Sequence, residues 1–170
     1  MTTTKSTTGE VVLAVHPTAL GFGWIVFENP HEPVDWGIVS ARANRHQKLL
    51  PRFERLLKKH EPDVLVVEEF EGGAAGRDER IQALCREFLH QARLHGLHTS
   101  VFSRDVIAAR FKKEPAATRH EIAEAVAAVL PQIDHRKPRK RKAWQPIDPR
   151  QSLFDAAALA LTYYALMGKD

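Results

Sequence analysis

The chain has 170 residues, of which 44% are hydrophobic, so it is long enough for one domain with a core of its own. A single cysteine, Cys85, excludes a disulfide framework; we expect a buried thiol in a protein of the reducing cytoplasm. No apolar run approaches the roughly 20 residues of a bilayer span, so no membrane partner is expected.

The positive charge is concentrated in one segment. Of the chain's net +4, the stretch from Gln132 to Arg150 contributes seven basic and two acidic residues, a local +5. The rest of the chain therefore sums to −1 by the same count. Charge gathered in this way predicts a surface that faces a polyanion.

The first predicted elements are strands. Residues 1–9 are polar and are expected to be a disordered N-terminus. Three apolar and β-branched runs then predict a meander, at Val11–Val15, Gly21–Phe27 and Val34–Ala41. The first of them is continuously apolar, which is typical of a central strand buried on both faces.

Helices and strands alternate in the rest of the chain. Leu49, Phe53 and Leu57 share one face of a helix that should end at His60, before Pro62. The later predicted elements are a strand at Asp63–Val67, a helix at Arg80–His95, a strand at His98–Phe102, a helix at Asp105–Arg110, a helix from the capping box at Thr118 to Leu130, and a helix from Asp148-Pro149 to about Leu166. This order predicts an α/β fold with a five-stranded mixed sheet, the strand from Val11 at its centre and helices on both faces.

Two acidic residues stand out by position. Glu68 ends an apolar strand, at the edge where ligands gather in open α/β sheets, although a solvated charge at the start of a loop would look the same. Glu69 should point to the other face. Asp155 lies in a helix, SLFDAAALALTYYAL, that is too apolar for the surface, although an acid near a helix start also suits the helix dipole.

The segment Val11–Glu28 reads VVLAVHPTALGFGWIVFE: an apolar strand, a tight turn and a second strand. This hairpin resembles the opening of the RNase H-like nucleases, and the RuvC-type Holliday-junction resolvases most closely. With the element order up to Leu166, the resemblance implies an RNase H-like domain over residues 10–170. In that family the first strand ends in Asp-Pro-Gly, whereas here it ends in His16-Pro17-Thr18.

The resemblance also implies a site. It places Glu68 as the second metal ligand and aligns Asp155 with one of two acids in the family's last helix, with Ser152 at the place of the other. Members of the family use divalent ions, Mg²⁺ or Mn²⁺, to activate water for attack on a phosphodiester.

His16 changes the expected metal chemistry. A carboxylate can bridge two ions and an imidazole cannot, and imidazole favours Zn²⁺ or Mn²⁺ over Mg²⁺. We therefore predict that His16, Glu68 and Asp155 converge as catalytic residues and as ligands of a single metal ion. The alternative is a neutral histidine at a strand end without a ligand role.

The basic loop at 132–150 supplies the predicted DNA contacts. It holds six cations within seven residues, followed by an aromatic residue that could stack on a base. Arg119 is a further candidate for phosphate, since the family carries a basic residue in about that region. The nucleic-acid-binding set is thus Arg119, Arg136, Lys137, Arg139, Lys140, Arg141, Lys142 and Trp144, and the alternative is a solvated loop.

Three functions follow from these patterns. The first is a RuvC-like protein acting on branched DNA with an altered and weakened metal-dependent endonuclease site. The second is an active Holliday-junction endonuclease with a His/Glu/Asp metal site, and the third is a non-catalytic protein-interaction scaffold. The two replaced acids favour the first, and the basic loop favours DNA over a protein partner. Resolvases of this family act as two-fold dimers, so a homodimer is compatible with any DNA role.

Overall fold

A computed structural model describes residues 9–70, 79–112 and 117–168 of the protein. Of the segment predicted to be disordered, residues 1–8 lie outside the described residues. The strands are β1 (Val12–Pro17), β2 (Gly21–Asn29), β3 (Glu32–Ser40), β4 (Val64–Glu68) and β5 (His98–Phe102). The helices are α1 (Arg45–His60), α2 (Glu79–Leu94), α3 (Arg104–Phe111), α4 (Arg119–Val129), a 3₁₀ helix (Pro131–Arg136) and α5 (Gln151–Leu166).

The five strands form one mixed sheet in the order β3-β2-β1-β4-β5. Strand β1 pairs antiparallel with β2 and parallel with β4, and β4 pairs parallel with β5. The predicted sheet is thereby confirmed, with the strand from Val11 at its centre and its parallel neighbour beside it.

Helices cover both faces of this sheet, as predicted. Val12 and Ala14 of β1 share a core with α3, α4 and α5, whereas Leu13 and Val15 share one with α1 and α2. Successive side chains of a strand point to opposite faces, so a strand covered on both sides must be apolar throughout.

Helix α5 lies against the centre of the sheet and is buried from Gln151 to Tyr164. Its close approach depends on Gly23 of β2, since a Cβ at that position would lie 2.3 Å from the carbonyl carbon of Ser152. Although α5 is very apolar, neither it nor another helix within the described ranges has both the length and the hydrophobicity to cross a membrane.

Strand β1 extends further than the predicted Val11–Val15. Its pairing with β2 continues through His16, opposite Gly23, and Pro17, opposite Phe22. His16 therefore lies within the strand and is only 5% exposed, so the sheet itself fixes its backbone position.

Two other boundaries also differ from the sequence prediction. The last helix begins at Gln151 and not at Asp148-Pro149, because Asp148 accepts a hydrogen bond from the Arg150 backbone N–H and holds a turn there. The predicted loop at 132–150 starts inside the 3₁₀ helix Pro131–Arg136, in which Ile133 is fully buried and anchors the turn to the core.

We expect Gly23→Ala to lower the free energy of unfolding by about 1–3 kcal/mol, because the methyl group would push α5 away from the sheet. Urea denaturation measures the change. The matched control is Gly9→Ala, where the nearest atom lies at 3.7 Å and the effect should stay below about 0.5 kcal/mol. Equal stability of the two variants would contradict the close contact.

Candidate functional site

The three residues predicted to converge lie together at one end of the sheet. His16 is near the end of β1, Glu68 is the last residue of β4, and Asp155 lies in the second turn of α5. Strands β1 and β4 run parallel, so their carboxyl ends meet at the same edge. All three side chains are buried, at 5%, 0% and 3% exposure respectively.

The imidazole of His16 lies between the two carboxylates. Its Nε2 is 2.8 Å from Oε2 of Glu68, a buried hydrogen bond between the two central parallel strands. When Glu68 is ionised its oxygens only accept, and Nε2 of the imidazole is then the donor in this bond. On the other side of the ring, Nδ1 is 3.8 Å from Oδ2 of Asp155 and makes no hydrogen bond within the part of the chain that the structure describes.

Asp155 is surrounded by donors other than His16. The Gln151 side-chain amide, one helical turn earlier, donates to Oδ1 at 3.0 Å. The guanidinium groups of Arg104 and Arg119 approach its two oxygens at 4.0 and 3.8 Å. Two positive charges therefore lie beside Asp155, whereas the Glu68 carboxylate is paired with His16.

This arrangement does not fit a divalent ion held by the three predicted ligands. Glu68 and Asp155 face different ring nitrogens of His16, and a single ion cannot bind both nitrogens of one ring. Accordingly, no group of three or more His, Cys, Asp or Glu side chains in residues 9–70, 79–112 and 117–168 is arranged to hold a metal. Metal coordination by His16, Glu68 and Asp155 stays a prediction, and it requires the imidazole to move.

Ser152 does not take over the part of an acid. Its hydroxyl donates to the backbone carbonyl of Pro149 at 2.7 Å, and its side chain is nearly fully buried beside Gly23. The group at this position therefore stabilises the start of α5 and brings no charge to the site.

A cleft of about 430 Å³ opens above His16 and Asp155. Its walls are largely apolar and include Leu20, Phe70 and Ile147, with the Phe70 ring 5.8 Å from the imidazole. The lining residues are His16, Pro17, Thr18, Ala19, Leu20, Ile38, Ser40, Phe70, Ile81, Arg119, Ile147, Asp148, Pro149, Gln151, Ser152 and Asp155.

One wall of the cleft is made by the segment that follows the basic residues. Asp148 forms an ion pair there with Arg150 at 2.7 Å, and the hydrogen bonds from this guanidinium hold the pKa of Asp148 below its usual value. The pair is neutral as a unit, so this wall does not repel a phosphate strongly.

The predicted DNA-binding residues divide into two groups. Arg119 lines the cleft itself. The six cations Arg136, Lys137, Arg139, Lys140, Arg141 and Lys142 are exposed outside it, on the chain that leads to its Ile147 wall. Trp144 is 77% exposed, on a turn closed by a hydrogen bond from the Gln145 N–H to the Lys142 carbonyl, with the Lys142 ammonium 5.1 Å from its ring centroid.

Sequence reasoning missed three residues of the site. Gln151 could have been found, because it is four residues before Asp155 and so on the same helix face. Phe70 follows Glu68 by two residues and could have been expected on the same side of the chain. Arg104 reaches Asp155 from a different element, and no sequence signal connects the two.

Comparison with solved structures finds the same fold in Holliday-junction resolvases. The Thermus thermophilus RuvC structure matches with a TM-score of 0.68 and 20% identity, over 94% of this chain and 97% of that one. T. thermophilus RuvC in complex with a Holliday junction substrate gives 0.65 and 20%, over 95% and 98%. The yeast mitochondrial Holliday junction resolvase Ydc2 gives 0.62 and 14%, over 95% and 80%.

At these identities the likeness concerns the fold, and it confirms the predicted RuvC-like, RNase H-like architecture. No family model and no curated protein sequence matches the chain.

We expect wild-type protein to bind Mg²⁺ weakly or not at all in isothermal titration calorimetry, because His16 hydrogen-bonds Glu68 and two arginines lie beside Asp155. His16→Asp should bind Mg²⁺ measurably, since it removes the imidazole and adds the oxygen ligand that Mg²⁺ prefers. The same titration with Mn²⁺ and Zn²⁺ tests the expectation that these ions bind better than Mg²⁺. His135→Asp, an exposed change on the 3₁₀ helix, is the control; tight Mg²⁺ binding by wild type would contradict the prediction.

Proposed function

We propose that this protein binds branched DNA at the cleft beside His16 and cleaves it weakly or not at all with Mg²⁺. The observation that carries the proposal is the imidazole between Glu68 and Asp155, at 2.8 and 3.8 Å. In the resolvases that the chain resembles, a carboxylate at the end of the first strand holds metal ions. A ring that hydrogen-bonds one of the remaining acids cannot do this.

The charges around the site support binding more than hydrolysis. Hydrolysis of a phosphodiester needs positive charge focused on the attacked phosphate, and in a metal-dependent nuclease the ions supply most of it. Here Arg104 and Arg119 lie 4.0 and 3.8 Å from the Asp155 carboxylate, whose negative charge offsets part of their positive charge. Arg119 is partly exposed in the cleft, so it can still meet a phosphate.

The basic segment supports DNA as the partner. Its six exposed cations would replace counterions along a phosphate backbone, which is the main source of affinity for DNA. Trp144, held out into solvent beside Lys142, offers a stacking surface for a base that is unpaired or at a branch point. T. thermophilus RuvC in its complex structure is bound to a Holliday junction substrate, and the shared fold makes a junction the first DNA structure to test.

An active endonuclease with a His/Glu/Asp metal site is the second candidate. It is favoured by the convergence of the three residues and by the free Nδ1 of His16, which could turn towards an ion. A protein-interaction scaffold does not account for the six exposed cations of the basic segment. A two-fold dimer on a symmetric junction remains a prediction in either DNA role.

We expect wild-type protein to give little or no Mg²⁺-dependent cleavage of a synthetic four-way junction on denaturing gels. His16→Asp, alone or with Ser152→Asp, should raise the single-turnover rate on the order of 100-fold, because each change restores an acidic ligand. Strong Mg²⁺-dependent cutting by wild type, lost in Glu68→Gln, would establish the active endonuclease in place of this proposal.

Binding is tested separately by fluorescence anisotropy on the junction and on a duplex of the same length. Replacing Lys137, Arg139, Lys140 and Arg141 by Gln should flatten the log–log salt dependence of affinity by about 3 to 4 units, if each cation meets a phosphate. The charge-matched control replaces Arg52, Arg55, Lys58 and Arg93, which are exposed on α1 and α2. An equal effect of both sets would show that the basic segment is merely solvated.

A further inference from the structure

A second cavity, of about 280 Å³, lies on the other side of the turn between β1 and β2. Arg42, His46 and Arg80 line it, together with Asn44 and with Thr18 of the turn itself. Thr18 and Ala19 also line the cleft above His16, so this turn separates two neighbouring openings. The walls of the cleft are mainly apolar, whereas those of the second cavity carry cations and amides.

Two of the groups that line this cavity, Arg42 and His46, have no acidic partner within the described residues. Among residues 9–70, 79–112 and 117–168, none that lines the cavity is acidic, and the first turn of α1, which forms part of its wall, carries no acidic side chain. Within the described residues, neither Arg42 nor His46 forms an ion pair with a carboxylate. An anion entering the cavity would therefore meet a guanidinium and an imidazole without displacing an existing partner.

The uncharged groups of the cavity are also available as donors. Asn44 precedes α1, and its exposed side chain makes no capping hydrogen bond to the helix, so its amide is not engaged in a cap. Thr18 Oγ1 accepts from the backbone N–H groups of Leu20 and Gly21, at 3.3 and 3.1 Å. Both acceptor positions of that hydroxyl are thus occupied, while its own proton remains to be donated.

We propose that this cavity binds a phosphate group. A guanidinium, an imidazole, an amide and a hydroxyl, all able to donate and with no acid among them, match the several acceptor oxygens of a phosphate and its negative charge. Arginine suits this ligand, because its planar fork can donate two parallel hydrogen bonds to two phosphate oxygens.

If the proposed DNA-binding function holds, the phosphate belongs to the DNA backbone. A strand crossing the β1–β2 turn would then place one phosphate in the cavity and the neighbouring nucleotide in the apolar cleft beside His16. The cavity would fix the register of the strand relative to the candidate site, independently of the basic segment at 136–142. A free phosphate or a phosphorylated small molecule has the same chemistry. The salt dependence of DNA binding distinguishes these ligands from the DNA backbone.

The first experiment titrates the full-length ¹⁵N-labelled protein with sodium phosphate and sodium pyrophosphate, followed by NMR. We expect saturable shifts in the backbone amides of residues 42–46, and at least about fivefold weaker binding in Arg42→Gln. Arg55→Gln is the matched control: Arg55 is an exposed arginine of α1 that lines neither opening. Absence of shifts in these amides with both anions would overturn the proposal.

The second experiment measures the salt dependence of four-way-junction binding for the same variants. Loss of one phosphate contact in Arg42→Gln should flatten the log–log slope by about 0.9, with Arg55→Gln unchanged. Shifts with pyrophosphate but equal slopes would support the phosphate site and reject the DNA backbone as its source. A wild-type protein that binds no junction would refute the proposed function. The anion titration alone would then show whether the cavity binds phosphate.

Discussion

The buried hydrogen bond between His16 and Glu68 is the constraint on which this end of the molecule depends. The two side chains lie on adjacent central strands, are almost completely removed from water, and are joined at 2.8 Å. A buried polar group left without its partner costs about 1–3 kcal/mol, and more if it is charged. The parallel pairing of β1 with β4 and the apolar packing on both faces bring these groups together, and the bond offsets the cost of burying them there.

Asp155 reaches the same cluster from α5, in the helical layer that covers one face of the sheet. It enters the site because α5 can approach β2 closely at Gly23, where no side chain intervenes. A carboxylate in so apolar a helix would be costly without compensation, and Gln151, Arg104 and Arg119 supply it. The compensation is concentrated on Asp155, whereas Oε1 of the fully buried Glu68 has no hydrogen-bond partner within the described residues.

Sequence reasoning predicted the fold from local patterns, and it predicted from those patterns together with the resemblance that His16, Glu68 and Asp155 would lie close to one another. The continuous apolar run before His16 predicts a central strand. An acidic residue inside the apolar α5 predicts that Asp155 belongs to a functional site. The contact of Arg104 with Asp155 was not predictable, since it depends on how α3 and α5 pack. The start of α5 was missed for a similar reason: the hydrogen bonds of Asp148 to Arg150 hold a turn where sequence rules place a helix cap.

The two departures from the resolvase pattern, His16 and Ser152, are physically consistent with each other. Each puts an uncharged or basic group where the resemblance implies an acid. Each also makes a hydrogen bond: the His16 imidazole to Glu68 of the neighbouring strand, and the Ser152 hydroxyl to the Pro149 carbonyl at the start of α5. With an acid at either position, three carboxylates would lie near the same two arginines, and a cation would be attracted more strongly. With both replaced, the charged or polar neighbours of the two remaining acids include His16 at Glu68, and Arg104 and Arg119 at Asp155. Because Arg119 is partly exposed and lines the cleft, positive charge borders the opening on that side.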